Sequence, residues 1–120
     1  MAQIYGIKNC DTVKKAKKWL EQNDISFTFN DFRSDGLEKS TLEKWLSKLD
    51  TNVLVNKRST TWKQLSDKEK SIVKSGENQK ALIALLSDHP TLIKRPVLEH
   101  KNTMATGFNE KNYSEIFGLN

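Results

Sequence analysis

The single cysteine of the chain, Cys10, ends the run "YGIKNC" and stands directly before a lysine-studded helical pattern, "DTVKKAKKWLEQN". A buried cysteine ordinarily behaves as a small hydrophobe. At a strand-to-helix junction a thiol instead meets unpaired backbone N–H groups and the positive end of the helix dipole, which favour the nucleophilic thiolate. Lys14, one turn on, adds a positive field, and Lys8, Lys15, Lys17 and Lys18 crowd the same stretch. Read as pattern alone, those lysines fit a solvated helix face better than a functional cluster. The spacing limits the chemistry further. A CxxC pair would need a cysteine at position 13, which is Val13, and no other cysteine exists. An oxidised Cys10 must therefore be resolved by an external thiol such as glutathione. Cys10, His89 and His100 lie far apart in the chain, without the spacing of a metal site, and no metal is expected.

Two further stretches carry groups suited to anions. In "LIKRPVLE", Arg95 offers a planar fork for a carboxylate or oxyanion, and the following Pro96 suits a tight bend, where a cis peptide is open but rare by base rate. Without the fold argument Arg95 reads as a surface arginine. In "NKRSTTWKQL", Arg58 stands in a polar loop beside Ser59, Thr60 and Thr61, which serve equally as hydrogen-bonding partners or as caps for the next helix.

The elements that must hold these groups follow from periodicity. "AQIYGI" predicts a strand over about residues 2–7, and Val13, Ala16 and Leu20 with Trp19 predict a helix over 12–22, capped by Asp11 or Thr12. "ISFTFNDF" predicts a second strand, closed by the turn "SDG" and parallel to the first because a helix crosses between them. Leu42, Trp45, Leu46 and Leu49 mark a helix, followed by a break at "NKRSTTW". Ser66 and Asp67 start another helix, Gly76 ends it, and Ala81, Leu82, Leu85 and Leu86 define the next, closed by Pro90. "RPVLEH" and "TMATGF" around "KN" predict a hairpin, and Tyr113, Ile116 and Phe117 share one face of a last helix. A β-α-β unit, a helical insertion and a β-β-α unit, with a cysteine just after the first strand, suggest an α/β thioredoxin-like fold.

Composition sets the remaining bounds. The 120 residues suffice for one compact domain with a core and are too few for two ordinary ones. No apolar run approaches the length of a membrane span, and no signal peptide is visible. One cysteine and no leader point to the cytoplasm. The net charge of +5 is spread among acids with only three arginines, unlike the gathered basic surface of a nucleic-acid binder.

The runs "YGIKNCDTVKKAKKWLE", "FRSDGL", "RSTTW", "LIKRP" and the final "GF", in this order over nearly the whole chain, resemble the ArsC family. That family comprises glutaredoxin-linked arsenate reductases, the transcription regulator Spx and YffB relatives, and the chain looks most like the YffB subgroup. The resemblance implies one ArsC-like domain over 1–120, with a thioredoxin-like core at about 1–36 and 91–120 and a helical insertion at about 37–90. It implies a catalytic Cys10, an active Arg95 before a cis Pro96, and Arg58 as the central-loop arginine. Arsenate reductases carry a third arginine in the last hairpin, where this chain has Met104, and Spx-type regulators pair their cysteine with another three residues on, where this chain has Val13.

The expected function is a glutathione-dependent thiol reductase. Cys10 and Arg95 are its catalytic groups, while Arg58, Lys8, Lys14 and Pro96 bind glutathione. Arsenate reduction and an Spx-like regulator binding RNA polymerase are the alternatives. The expected partners are glutathione or another small thiol, and glutaredoxin. A monomer is expected, with no tightly bound cofactor, nucleic acid or membrane.

Overall fold

The structure is a computed structural model, and it describes residues 1–119. Its elements run β1 (Ala2–Gly6), α1 (Asp11–Gln22), β2 (Phe27–Asp31), α2 (Lys39–Lys48), α3 (Thr51–Leu54) and α4 (Thr60–Gln64). Then follow α5 (Asp67–Ser75), α6 (Gln79–Asp88), a 3-10 turn (Pro90–Leu92), β3 (Val97–His100), β4 (Thr103–Thr106) and α7 (Glu110–Ile116). The chain divides into two compact units, one of Met1–Gly36 with Arg95–Asn120 and one of Leu37–Lys94.

The first unit is a four-stranded sheet in the order β2-β1-β3-β4. β1 and β2 are parallel, with Gly6 opposite Asp31, as a strand–helix–strand crossover requires. β3 runs antiparallel to β1, with Tyr5 opposite Val97, and forms the hairpin with β4. Strand alternation puts Ala2, Ile4 and Leu98 into one cluster with Ala16, Trp19 and Leu20 of α1 and Tyr113 of α7. Trp19 and Tyr113 meet edge to face at 5.7 Å between centroids, and Phe108 meets Tyr113 in the same way at 4.8 Å. Burial pushes the Tyr113 hydroxyl pKa up, while its O–H donates to the Gly107 carbonyl at 3.4 Å. This is the thioredoxin-like α/β architecture expected of the element order.

The second unit is helical. Leu42 and Trp45 of α2 and Leu82, Ile83, Leu85 and Leu86 of α6 are buried, and the two helices pack on each other. The unit extends through Lys94 because the segment after the 3-10 turn is stitched back onto α3. Asn56 N–H donates to Leu92 O at 2.7 Å, Lys94 N–H donates to Leu54 O at 2.8 Å, and Val55 bridges Ile93. The break expected at "NKRSTTW" is shorter than predicted, because Ser59 accepts from Trp62 N–H and starts α4 inside it. α5 begins at Ser66 with a full capping box to Glu69 and ends at Gly76, whose φ of 63° is left-handed and suits glycine.

Candidate functional site

Cys10 itself is the N-cap of α1, with φ −85° and ψ 125°, and its side chain makes no capping hydrogen bond. The expected caps, Asp11 and Thr12, are both already helical. The reason is the turn before them: Cys10 N–H donates to Ile7 O at 3.1 Å, and Cys10 O accepts the first helical bond from Lys14 N–H at 3.0 Å. A cysteine cannot offer a capping oxygen, so the first N–H groups of α1 gain no side-chain partner from the cap position. The thiol is partly exposed. A 12-residue helix thus presents its positive end where an accessible sulfur stands.

β1 fixes where that sulfur sits. At Gly6 a Cβ would lie 2.7 Å from Val13 Cγ2, a distance that real side chains do not tolerate. The missing side chain lets α1 lie tightly against the end of β1. Val13 is fully buried there, three residues after Cys10.

Of the other predicted residues, Arg95 and Pro96 belong to the same unit and the same end of its sheet. β1 ends at Gly6 and antiparallel β3 begins at Val97, so the loop to Cys10 and the Arg95–Pro96 pair leave from one end of the sheet. The Arg95–Pro96 peptide is cis, Pro96 is buried, and Pro96 O accepts from Gly107 N–H at 2.9 Å. Arg95 departs from the surface residue that sequence alone favoured: it is half-buried, and its Nε is shut off from solvent. Burying a guanidinium stem beside a proline bend restricts the fork to fewer directions.

The lysines divide. Lys8 and Lys14 are exposed, and Lys8 is held by its backbone, which donates to Asp31 Oδ2 at 3.2 Å. Lys17 is half-buried, with its ammonium 4.3 Å from the Phe29 ring centroid, so it packs on the sheet instead of adding to an open field.

Arg58 lies in the second unit. Its backbone N–H donates to Asn56 Oδ1 at 3.0 Å, and it lines a cavity of about 510 Å³ with Asn52, Val55, Asn56, Lys57 and Lys94. Three cations and two amides with no carboxylate make this lining suited to an anionic group. A larger cavity of about 580 Å³, lined by Lys39, Glu43, Gln79, Lys80, Ile83 and Ala84, contains none of the predicted residues and no nucleophile.

Asp31 is the residue that sequence reasoning passed over. Its carboxylate accepts from Arg33 N–H at 2.7 Å, Ser34 N–H at 3.4 Å and Lys8 N–H. The bond from Arg33, with help from Lys8, Ser34 and the Arg33 charge, outweighs partial burial and holds its pKa below the ordinary carboxylate value. The available signal was an aspartate ending a strand directly before a polar turn. The two histidines stand apart: His89 lies 3.8 Å from Glu69 in the second unit, while His100 packs against Phe117 in the first. Among the described residues no helix is long and apolar enough to cross a membrane.

The model of the ArsC family matches residues 5–116. An uncharacterised protein of Haemophilus influenzae is 44% identical over 117 residues, covering 98% of this chain and 99% of that one. The global transcriptional regulator Spx of Staphylococcus haemolyticus is 26% identical, covering 92% of this chain and 82% of that one. The solved structure of a YffB protein superposes with a TM-score of 0.85 at 30% identity, covering 96% and 97% of the two chains. The strand–Cys10–helix turn, the Arg95–Pro96 bend and the inserted helical unit thus occur in a chain that belongs to the ArsC family.

Proposed function

We propose that the protein is a glutathione-dependent thiol oxidoreductase that works through Cys10 alone. The observation that carries this reading is the partly exposed thiol at the uncapped start of α1, in a chain with no second cysteine. The Cys10 thiolate attacks one sulfur of a disulfide substrate. The S–S bond breaks, one half leaves as a thiolate, and the other half stays joined to Cys10. A glutathione thiolate then attacks that half's sulfur, forming a new disulfide with it and returning Cys10 as the thiolate. Arg95, at the same end of the sheet, binds a glutathione carboxylate or the departing anion. Arg58, with Lys57 and Lys94, lines a cavity of the helical unit that would take a glutathione carboxylate, and Lys8 and Lys14 add positive potential to the sheet unit. Pro96 fixes the bend from which Arg95 projects. Glutathione acts as a co-substrate in the cytoplasm, and glutaredoxin is the protein partner whose thiolate would resolve the Cys10 mixed disulfide in its place.

Arsenate reduction is less well supported. Met104, near the place of the arsenate reductases' third arginine, is a β4 residue paired with Glu99, so a thioether and a carboxylate stand there instead of a cation. A regulatory reading rests on the similarity to Spx alone. Incubation with glutathione and a glutathione mixed disulfide, followed by a coupled assay of glutathione oxidation, tests the enzyme reading. Turnover that Cys10→Ser abolishes is expected. A protein that shows none yet is retained by RNA polymerase would instead be a regulator.

A further inference from the structure

The four residues between β1 and α1 carry the thiol, and a β-ladder does not reach them. The last bond between the two parallel strands is Phe32 N–H to Gly6 O at 2.8 Å. Beyond it, Ile7 is buried, Cys10 N–H closes a turn onto Ile7 O, and Lys8 and Asn9 are exposed. The Lys8 N–H faces the end of β2, and there Asp31 meets it with one carboxylate oxygen, Oδ2. The other oxygen, Oδ1, takes the N–H groups of Arg33 and Ser34. The turn is closed from its far side as well, since Asp31 N–H donates to Asp35 Oδ2 at 2.9 Å and Asp35 N–H donates to Asp31 O at 2.9 Å. One side chain therefore spans two loops at the end of the sheet from which Cys10 departs.

We propose that Asp31 is a positioning residue for Cys10: its two oxygens clamp the Lys8 amide to the turn after β2, and the clamped loop delivers the thiol to the start of α1. The inference rests on the reading of Cys10 as the nucleophile. Only an ionised carboxylate has two oxygens that both accept. An asparagine can keep one of the two sets of bonds, but it turns an amide N–H toward the other donors. The clamp is therefore specific to aspartate in both charge and length. A glutamate keeps the charge and shifts the oxygens outward by one methylene.

The experiment compares Asp31→Asn and Asp31→Glu with the wild type in three readouts. These are amide hydrogen exchange at Lys8 and Phe32, the alkylation rate of Cys10 by iodoacetamide, and the melting temperature. For Asp31→Asn, exchange at Lys8 should rise about tenfold while Phe32, held in the ladder, changes by less than about twofold. Cys10 alkylation should shift by roughly threefold or more at a nearly unchanged melting temperature. Asp31→Glu should fall between the wild type and Asp31→Asn in both exchange and alkylation, a graded rescue that a purely structural role would not give. If Lys8 exchange is unchanged, or rises while the alkylation rate stays put, the clamp does not position the thiol and the proposal is wrong. If Asp31→Asn does not fold, Asp31→Glu decides: Lys8 exchange raised above wild type together with a shifted Cys10 alkylation rate supports the clamp, and a wild-type value in either readout overturns it. Iodoacetamide needs no glutathione. A Cys10 that never forms a glutathione adduct would therefore sink the proposed function while leaving this comparison readable.

Discussion

The helix starts of the molecule are built in two ways, capped and uncapped, and each unit contains both. In the helical unit, α3, α4, α5 and α6 each begin at a side chain that accepts a backbone N–H: Asp50, Ser59, Ser66 and Asn78. In the sheet unit, α7 begins the same way at Asn109, but α1 begins at Cys10, which caps nothing. Glu38 before α2 is a second start with no side-chain cap bond, but it carries no nucleophile. Capping spends the helix's positive end on the fold, whereas an uncapped start leaves it available to an anion. At α1 the chain forgoes that stabilisation where the sulfur stands, while five other helices take it.

Breaking the uncapped start has the largest expected effect. Cys10→Ser should abolish every glutathione adduct while leaving the melting curve close to wild type, because the volume change is small. The hydroxyl is also a good N-cap, so a slight rise in melting temperature would sharpen the contrast between the two kinds of helix start. Intact mass after oxidation and a thermal melt read both effects.

Next is the seat of that helix. Gly6→Ala places a methyl against Val13 and should cost about 1–3 kcal/mol by overpacking. Denaturant unfolding measures the loss. It should be accompanied by altered Cys10 alkylation, since α1 must shift to make room. An unchanged unfolding midpoint would show that β1 and α1 are not in the close contact described.

Arg95→Lys keeps the charge but loses the fork, and should slow formation or resolution of the Cys10–glutathione adduct about tenfold, the rate equivalent of about 1.4 kcal/mol. Because Arg95 is half-buried, some loss of stability will accompany it, contrary to what a surface arginine would give. Stopped-flow adduct kinetics on the folded variant separate the two. Wild-type kinetics with a large drop in melting temperature would make Arg95 a structural residue.

The smallest effect belongs to the other side of the comparison. Ser66→Ala removes the cap of α5 and should cost about 0.5–2 kcal/mol without changing Cys10 chemistry. It should also alter the acid limb of the stability curve. The Ser66 backbone and hydroxyl bonds hold the Glu69 pKa below its ordinary value. A depressed carboxylate contributes stability that is present above its unfolded pKa and lost as pH falls through its folded one. The backbone N–H at position 66 still reaches Glu69 in Ser66→Ala, so the urea midpoints of the two proteins should draw closer, without meeting, as pH falls to the acid end. Parallel curves would mean that the capping box carries no such linkage.

Much of this was legible in the sequence because it depended on periodicity and on residues with one strong preference. The parallel β1–β2 pair, the hairpin, the Ser66 start and the Gly76 end all follow from local chemistry. The N-cap of α1 was misplaced by one or two residues because Asp11 and Thr12 are better caps than cysteine. Propensity gave way to the turn that Ile7 and Cys10 close. α4 was hidden because a five-residue helix is too short for periodicity to show, and it depends on a Ser59 cap and a buried Trp62. The placement of Cys10 before α1 could be anticipated from one local run. The half-burial of Arg95 and the Asp31 bond to Lys8 could not, since each depends on segments that only the folded sheet brings together.

The central claim is that Cys10 is a lone nucleophile resolved from outside. Its most direct test is intact mass spectrometry of the protein after exposure to glutathione disulfide, then to excess glutathione. Attack by the Cys10 thiolate should leave one glutathionyl group on the protein and release one glutathione thiolate; excess glutathione should then return the original mass. No adduct on a protein whose Cys10 is readily alkylated by iodoacetamide, or an adduct that excess glutathione does not remove, would contradict the account.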